Sequence, residues 1–279
     1  MLLFVNGEDL YWQIYFLLWP CYSIHITELN GGKTMKVLTD VCYCEENQQY
    51  LDIYLPECRS FPVFVYFHGG GLERGDKARQ TALYQYLTDH GVAVVAPNYR
   101  MYPAAHYPDF LIDSAKAVAW TFDHIGTYGT ATKIYVGGSS AGGYLSQMLC
   151  FDESWLSPHG IKPSDIAGFV HDAGQPTCHF NVLRERGLDT RRVIIDETSP
   201  LYHIDSSKSD SPMLIIVSDQ DMENRYEQTM LLVSTLKHFG HTDNITLKVM
   251  HGAHCAYVRA VDENGDSILG KLVLEFIQI

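Results

Sequence analysis

Short apolar runs rich in β-branched residues alternate along the chain with longer stretches of helical periodicity. The runs at 37–44, 50–55, 63–67, 92–96, 134–136, 166–170, 213–217 and 245–250 read as strands. Between them, Leu111, Ile112, Ala115, Val118, Ala119 and Phe122 recur at helical spacing, so this helix turns one stripe toward a sheet. Further helices are predicted over 223–239, stopped by Gly240, and over 267–277 at the end of the chain. Strands alternating with helices predict an α/β fold, a mostly parallel eight-stranded sheet flanked by helices. The polar Glu45-Glu46-Asn47 turn makes the first two strands an antiparallel hairpin. Residues 171–211 fit neither pattern; with 151–165 they are expected to form a small cap, leaving 35–279 as one domain.

Composition narrows the partners. Twenty basic against 33 acidic residues give a formal net charge of −13, which repels a phosphate backbone and excludes nucleic acid as a partner. The seven cysteines are odd in number, and Cys42 and Cys44 stand too close for a zinc knuckle. They are expected to be reduced thiols in a cytoplasmic protein, with no metal and no cofactor. Residues 1–34 form an N-terminal extension of unknown role. Its apolar run at 10–19 follows Glu8 and Asp9, lacks a basic leader and is too short to cross a bilayer, so neither a signal peptide nor a membrane span is expected. The run instead suits a helix packed on the domain, a surface for a partner including a second copy of the chain, or a stretch before a start at Met35.

The strongest chemical signal follows the strand at 134–136. Gly138-Ser139-Ser140-Ala141-Gly142 is a G-x-S-x-G turn leading into a helical segment. Glycines there let the chain turn so sharply that the Ser140 hydroxyl stands above the sheet edge, near helix N–H groups that favour negative charge. Ser139 should point away from the site. The second signal, His68-Gly69-Gly70-Gly71, directly follows another strand. Attack on an ester carbonyl creates an oxyanion that needs preorganised N–H donors, and Gly70 and Gly71 with Ala141 can supply them. His68 reads as a structural histidine that pins the glycine loop.

A hydroxyl needs a base, and the base needs an acid to orient it. Sites built on this turn run serine, acid, histidine along the chain. His254 is favoured over His251 because it lies further into the loop after the last strand. Asp221 is favoured over Asp219 on the same ground, although one of the two carboxylates can instead cap the following helix. In the expected cap, Gln175, His179, Arg184 and Arg186 are candidates to meet a polar or anionic group, and Phe151 and Trp155 to line an apolar pocket.

Taken together, HGGG at 68–71, GGSSAGG at 137–143, APNYR at 96–100, Tyr107-Pro108 and Asp113 resemble the hormone-sensitive-lipase-like esterases of the α/β-hydrolase superfamily. LDIYLP at 51–56 and Gly75-Asp76-Lys77 extend the resemblance, which runs from about Met35 to the C-terminus. It implies a Ser140–Asp221–His254 triad, oxyanion donors at Gly70, Gly71 and Ala141, and no cofactor. Two departures stand out: the acid loop opens Ser218-Asp219 where many relatives carry glycine first, and the large N-terminal cap of many relatives is missing. The expected function is therefore hydrolysis of small short-acyl esters, with arylformamidase-type amide hydrolysis as the alternative. A binding protein on an inactive hydrolase scaffold is disfavoured, because no element of the machinery has been lost.

Overall fold

The computed structural model describes residues 23–28, 34–205, 207 and 209–278. Nine strands form one sheet: β1 (Ser23–Glu28), β2 (Thr34–Cys44), β3 (Gln49–Leu55), β4 (Ser60–Phe67), β5 (Ala93–Pro97), β6 (Thr130–Ser139), β7 (Gly168–Asp172), β8 (Met213–Gln220) and β9 (Ile245–Ala253). Their order across the sheet is β1-β2-β3-β5-β4-β6-β7-β8-β9. The first three strands and the β3–β5 pair are antiparallel, and every pair from β5 to β9 is parallel. All eight strands predicted from the sequence are present, and β2 and β3 form the predicted hairpin. The ninth, β1, comes from within 1–34 and joins the antiparallel edge, so the extension is partly built into the sheet. The apolar run at 10–19 lies outside the described residues.

Among the described residues there are six α-helices: α1 (Thr81–Asp89), α2 (Asp109–His124), α3 (Ala141–Phe151), α4 (Phe180–Glu185), α5 (Arg225–His238) and α6 (Ile268–Ile277); all but α4 cover the sheet. The central strands carry apolar side chains on both faces because both faces are covered. Val63, Val65 and Phe67 of β4 join the cluster under α2, α3 and α5, while Phe64 and Tyr66 join the cluster under α1 and α6. Leu111, Ala115 and Val118 of α2 are buried, as their spacing predicts.

The chain leaves β4 toward β5 on one side and returns to β6 on the other. Crossovers that diverge in this way open a crevice at the carboxyl ends of β4 and β6, where α/β sheets bind ligands. The glycine loop follows β4, and Ser140 follows β6. Two ionic braces hold the surroundings. Arg100 grips both oxygens of buried Asp113 at 2.8 Å, and Lys77 meets buried Asp52 at 2.6 Å.

Candidate active site

Ser140 is the single residue between β6 and α3, with φ 56° and ψ −113°. A non-glycine residue held there is strained and persists only when its surroundings fix it. Here the Ser140 N–H donates to the Asp172 carbonyl at 2.8 Å, and its own carbonyl accepts from Tyr144 at 3.0 Å. The flanking glycines let this turn nest against the end of β4. A Cβ at Gly138 would stand 2.5 Å from the Phe67 carbonyl oxygen, and one at Gly142 only 1.9 Å.

His254 Nε2 lies 2.8 Å from Ser140 Oγ, and His254 Nδ1 lies 2.5 Å from Asp221 Oδ1. The Asp221 side chain is fully buried and that of His254 is 21% exposed, so the pair reaches the crevice only through the imidazole. Burial alone would raise the Asp221 carboxyl. The bond to His254 and the N–H groups of Met222 and Ser218 outweigh that and hold it below the usual range. The rival pair is elsewhere. β8 runs on through Asp219 and β9 through His251, so these two meet at 2.8 Å on the solvent side, with the His251 side chain 84% exposed.

The glycine loop packs directly against the turn, since a Cβ at Gly69 would lie 3.2 Å from Ser140 Cβ. Gly70 and Gly71 take φ of 130° and 68°, which suit glycine. Among the described residues, no protein acceptor takes the N–H of Gly70, Gly71 or Ala141. His68 is buried, stacks on Tyr99 with ring centroids 4.5 Å apart, and contacts the Gly69 carbonyl through Nδ1 at 2.9 Å. From above, Asn181 Nδ2 donates to the Gly71 carbonyl at 2.9 Å, and Arg184 pairs with Glu73.

The model of the prolyl oligopeptidase family matches residues 109–267, more than half of the chain, and spans the Ser140 turn and the loops of Asp221 and His254. The chain belongs to the prolyl oligopeptidase family. A second family model, BD-FAE, matches residues 51–157, including the glycine loop. Among relatives of this family member, probable carboxylesterase 13 of Arabidopsis thaliana is 29% identical over 157 residues, 48% of this chain and 48% of that protein. The probable carboxylic ester hydrolase LipM of Mycobacterium tuberculosis is 36% identical over 116 residues, 39% of this chain and 27% of that protein. The chain thus covers less than half the length of either. Esterase B of Lactobacillus rhamnosis aligns with a TM-score of 0.70 at 16% identity, over 88% of this chain and 84% of that one. The propionate-bound esterase Est2 of Thermogutta terrifontis aligns with a TM-score of 0.66 at 21% identity, over 93% and 94%. The fold is therefore the α/β-hydrolase fold.

This prolyl oligopeptidase family member also holds a polar network that the sequence did not announce. Asp172, at the carboxyl end of β7, is fully buried and accepts hydrogen bonds from Ser139 Oγ and from the Tyr257 hydroxyl. Ser139 in turn accepts from the Tyr66 hydroxyl at 2.9 Å, so it points inward. Burial pushes the Asp172 carboxyl up to about 6, against the pull of its two hydroxyl donors. The available signal was position: residues ending parallel strands face the crevice.

Three candidate substrate contacts are engaged within the protein. His179 is buried between Tyr144 and Phe180, and its Nδ1 accepts from the Asn181 N–H at 3.2 Å, so it caps α4. Phe151 ends α3, about 15 Å along the helix from Ser140 by the rise per residue, and packs on the buried His171 ring. Residues 152–165 follow it; Trp155 packs edge-on against Tyr107, whose N–H donates to Glu185 of α4 at 2.9 Å, and Asp152 lies 3.8 Å from His203. Gln175 does line a cavity of about 580 Å³ beside the site, but both ends of its amide are already used. Its Nε2 donates to the Cys178 carbonyl at 2.8 Å, and its Oε1 accepts from the Phe180 N–H and from Arg225. Arg184 and Arg186 are taken by Glu73 and Asp196. Among the described residues, no group of three or more His, Cys, Asp or Glu is placed to hold a metal ion, and no helix is long and apolar enough to cross a membrane.

Proposed function

We propose that the chain is a serine esterase acting on small carboxylic esters through an acyl-enzyme. In this reading Ser140 Oγ attacks the carbonyl carbon while its proton passes to His254 Nε2. Asp221 keeps the His254 ring in the tautomer that can accept that proton, and offsets the charge that forms on the ring. The N–H groups of Gly70, Gly71 and Ala141 bind the oxyanion. Collapse expels the alcohol, which takes the proton from His254, and water then repeats the sequence to release the acid and restore Ser140.

The observation that carries this reading is the unbroken chain of contacts from Ser140 Oγ through the His254 ring to buried Asp221. The esterase names of the relatives agree with it. Within one hydrolase domain, α4 and the loops of 172–211 serve as the cap, because Asn181 and Arg184 clamp the glycine loop. Cys44, Cys58, Cys150, Cys178 and Cys255 are free thiols, which suits a reducing, cytoplasmic setting.

A panel of p-nitrophenyl esters from acetate to palmitate, run beside an N-formyl arylamine and a peptide anilide, tests the proposal. Short esters should be cleaved fastest, and a fluorophosphonate should label Ser140. Faster cleavage of the formamide or anilide would move the assignment to amide hydrolysis, and preference for palmitate would overturn the short-acyl reading. An unlabelled Ser140 in folded protein would remove the enzymatic assignment altogether.

A further inference from the structure

Arg225 is the first residue of α5, and only 4% of it is exposed. Its guanidinium donates to two neutral acceptors, the Ala173 carbonyl and Gln175 Oε1 at 3.1 Å. Among the described residues it forms no ion pair. Asp221 acts on it through space alone, since the Asp221 oxygens serve His254, Met222 and Ser218. A cation buried without a carboxylate is costly, and burial pulls its pKa down. A ligand carboxylate would complete the pair.

The surroundings supply the space. Arg225 lines the cavity of about 580 Å³, together with Phe180, Arg192 and Asn224. The Phe180 ring packs on Gly71, within 2.9 Å of where a Cβ would stand, so the cavity adjoins the glycine loop. Arg225 grips Ala173, whose neighbour Asp172 holds the Ser140 N–H. Asn224, at φ 63°, gives α5 no side-chain cap, so the positive end of a 14-residue helix also faces this space. Of the acids on the wall, Asp189 is paired with Arg191, whose charge Glu223 also feels through space, while Arg192 adds a further positive charge.

We propose that this cavity binds a carboxylate carried by the ester substrate, with Arg225 as its main partner. The substrate class is then an ester with a free acid group, on the acyl or the alcohol side; the proposal rests on the esterase reading above. Two substrate pairs separate the sides: mono-p-nitrophenyl adipate against p-nitrophenyl hexanoate, and 4-butyryloxybenzoate against phenyl butyrate.

In at least one pair, the ratio of kcat/KM for the acid-bearing over the neutral ester should fall about 30-fold or more in Arg225→Gln, mainly through KM. Arg225→Lys should keep part of that ratio. The wild type gives an independent readout that needs no variant. Adipate, but not adipamide, should raise its Tm and inhibit ester cleavage competitively, and added salt should weaken both effects. Unchanged ratios in both pairs, or equal action of adipate and adipamide, would overturn the anion site while leaving the esterase reading standing. Failure of fluorophosphonate labelling together with a clear adipate-specific Tm shift would do the reverse.

Discussion

Tyr257 donates its hydroxyl to Asp172, a buried carboxylate that also receives the Ser139 hydroxyl. Tyr257 lies three residues beyond His254, and Ser139 immediately precedes Ser140, so one side chain ties the histidine loop to the nucleophile turn. Misplacing a reacting group by about 1 Å can cost on the order of 100-fold in rate. Tyr257→Phe and Asp172→Asn should therefore each lower kcat about 10- to 100-fold while KM moves less than about threefold. The two losses should not add in the double variant, because both break the same bridge. Steady-state kinetics on a short p-nitrophenyl ester checks this; additive losses, or losses confined to KM, would contradict a shared positioning role.

The same carboxylate sets a pH dependence of stability. Its folded pKa of about 6 lies above the ordinary aspartate value of 3.8, so between these values the folded state holds a proton that the unfolded chain has lost. Unfolding free energy then falls as pH rises from about 4 to 6, by up to about 3 kcal/mol from this one group, and is level above that window. Asp172→Asn removes the titration. Urea unfolding at pH 4.5 and pH 7 should show a smaller loss across the interval in the variant than in the wild type. An identical loss in both proteins would place the Asp172 pKa elsewhere.

Asp219 and Asp221 lie two residues apart and each holds a histidine, but in opposite environments. The Asp221 side chain is buried against His254, whereas Asp219 and His251 face solvent, where such pairs contribute little. Ser140→Ala and His254→Ala should each reduce kcat/KM by about 10⁴ or more, and Asp221→Asn by a smaller but still large factor. Asp219→Asn and His251→Ala should stay within about threefold of wild type. A larger loss from Asp219→Asn than from Asp221→Asn would exchange their roles.

Chemistry that depends on local spacing was legible in the sequence, and chemistry that depends on packing was not. The strand runs, the stripe of α2, the Ser140 turn and the glycine loop each declare themselves within a few neighbouring residues. Strand β1 escaped because the sequence of 23–28 gives no reason to place it beside Thr34–Cys44. Phe151 and His179 misled for a different reason. An aromatic and an imidazole near a site suggest contact with substrate, but α3 carries Phe151 away from Ser140 to pack on His171, and the α4 N-terminus consumes the His179 ring. The Asp172–Tyr257 bridge and the unpaired Arg225 are long-range facts, joining residues 85 and 50 or more positions from their partners.

The glycines of the turn provide a final test, because two of them differ only in what surrounds them. Alanine in place of glycine inside a helix ordinarily stabilises by about 0.5–1 kcal/mol through lost chain entropy. At Gly142, in the first turn of α3, the added Cβ would sit 1.9 Å from the Phe67 carbonyl oxygen, a backbone atom of the central strand that cannot turn aside. Gly126, in the short helical turn Ile125–Thr127, has no atom within 4 Å of the same position and no left-handed backbone. Gly142→Ala should destabilise the fold by about 2–4 kcal/mol and displace Ser140 from His254, with activity falling further than stability alone explains. Gly126→Ala should be neutral or slightly stabilising and leave kinetics unchanged. Urea midpoints and kcat for the two variants decide the matter: equal stability in both would mean that β4 and the turn do not approach as closely as the nucleophile's placement requires.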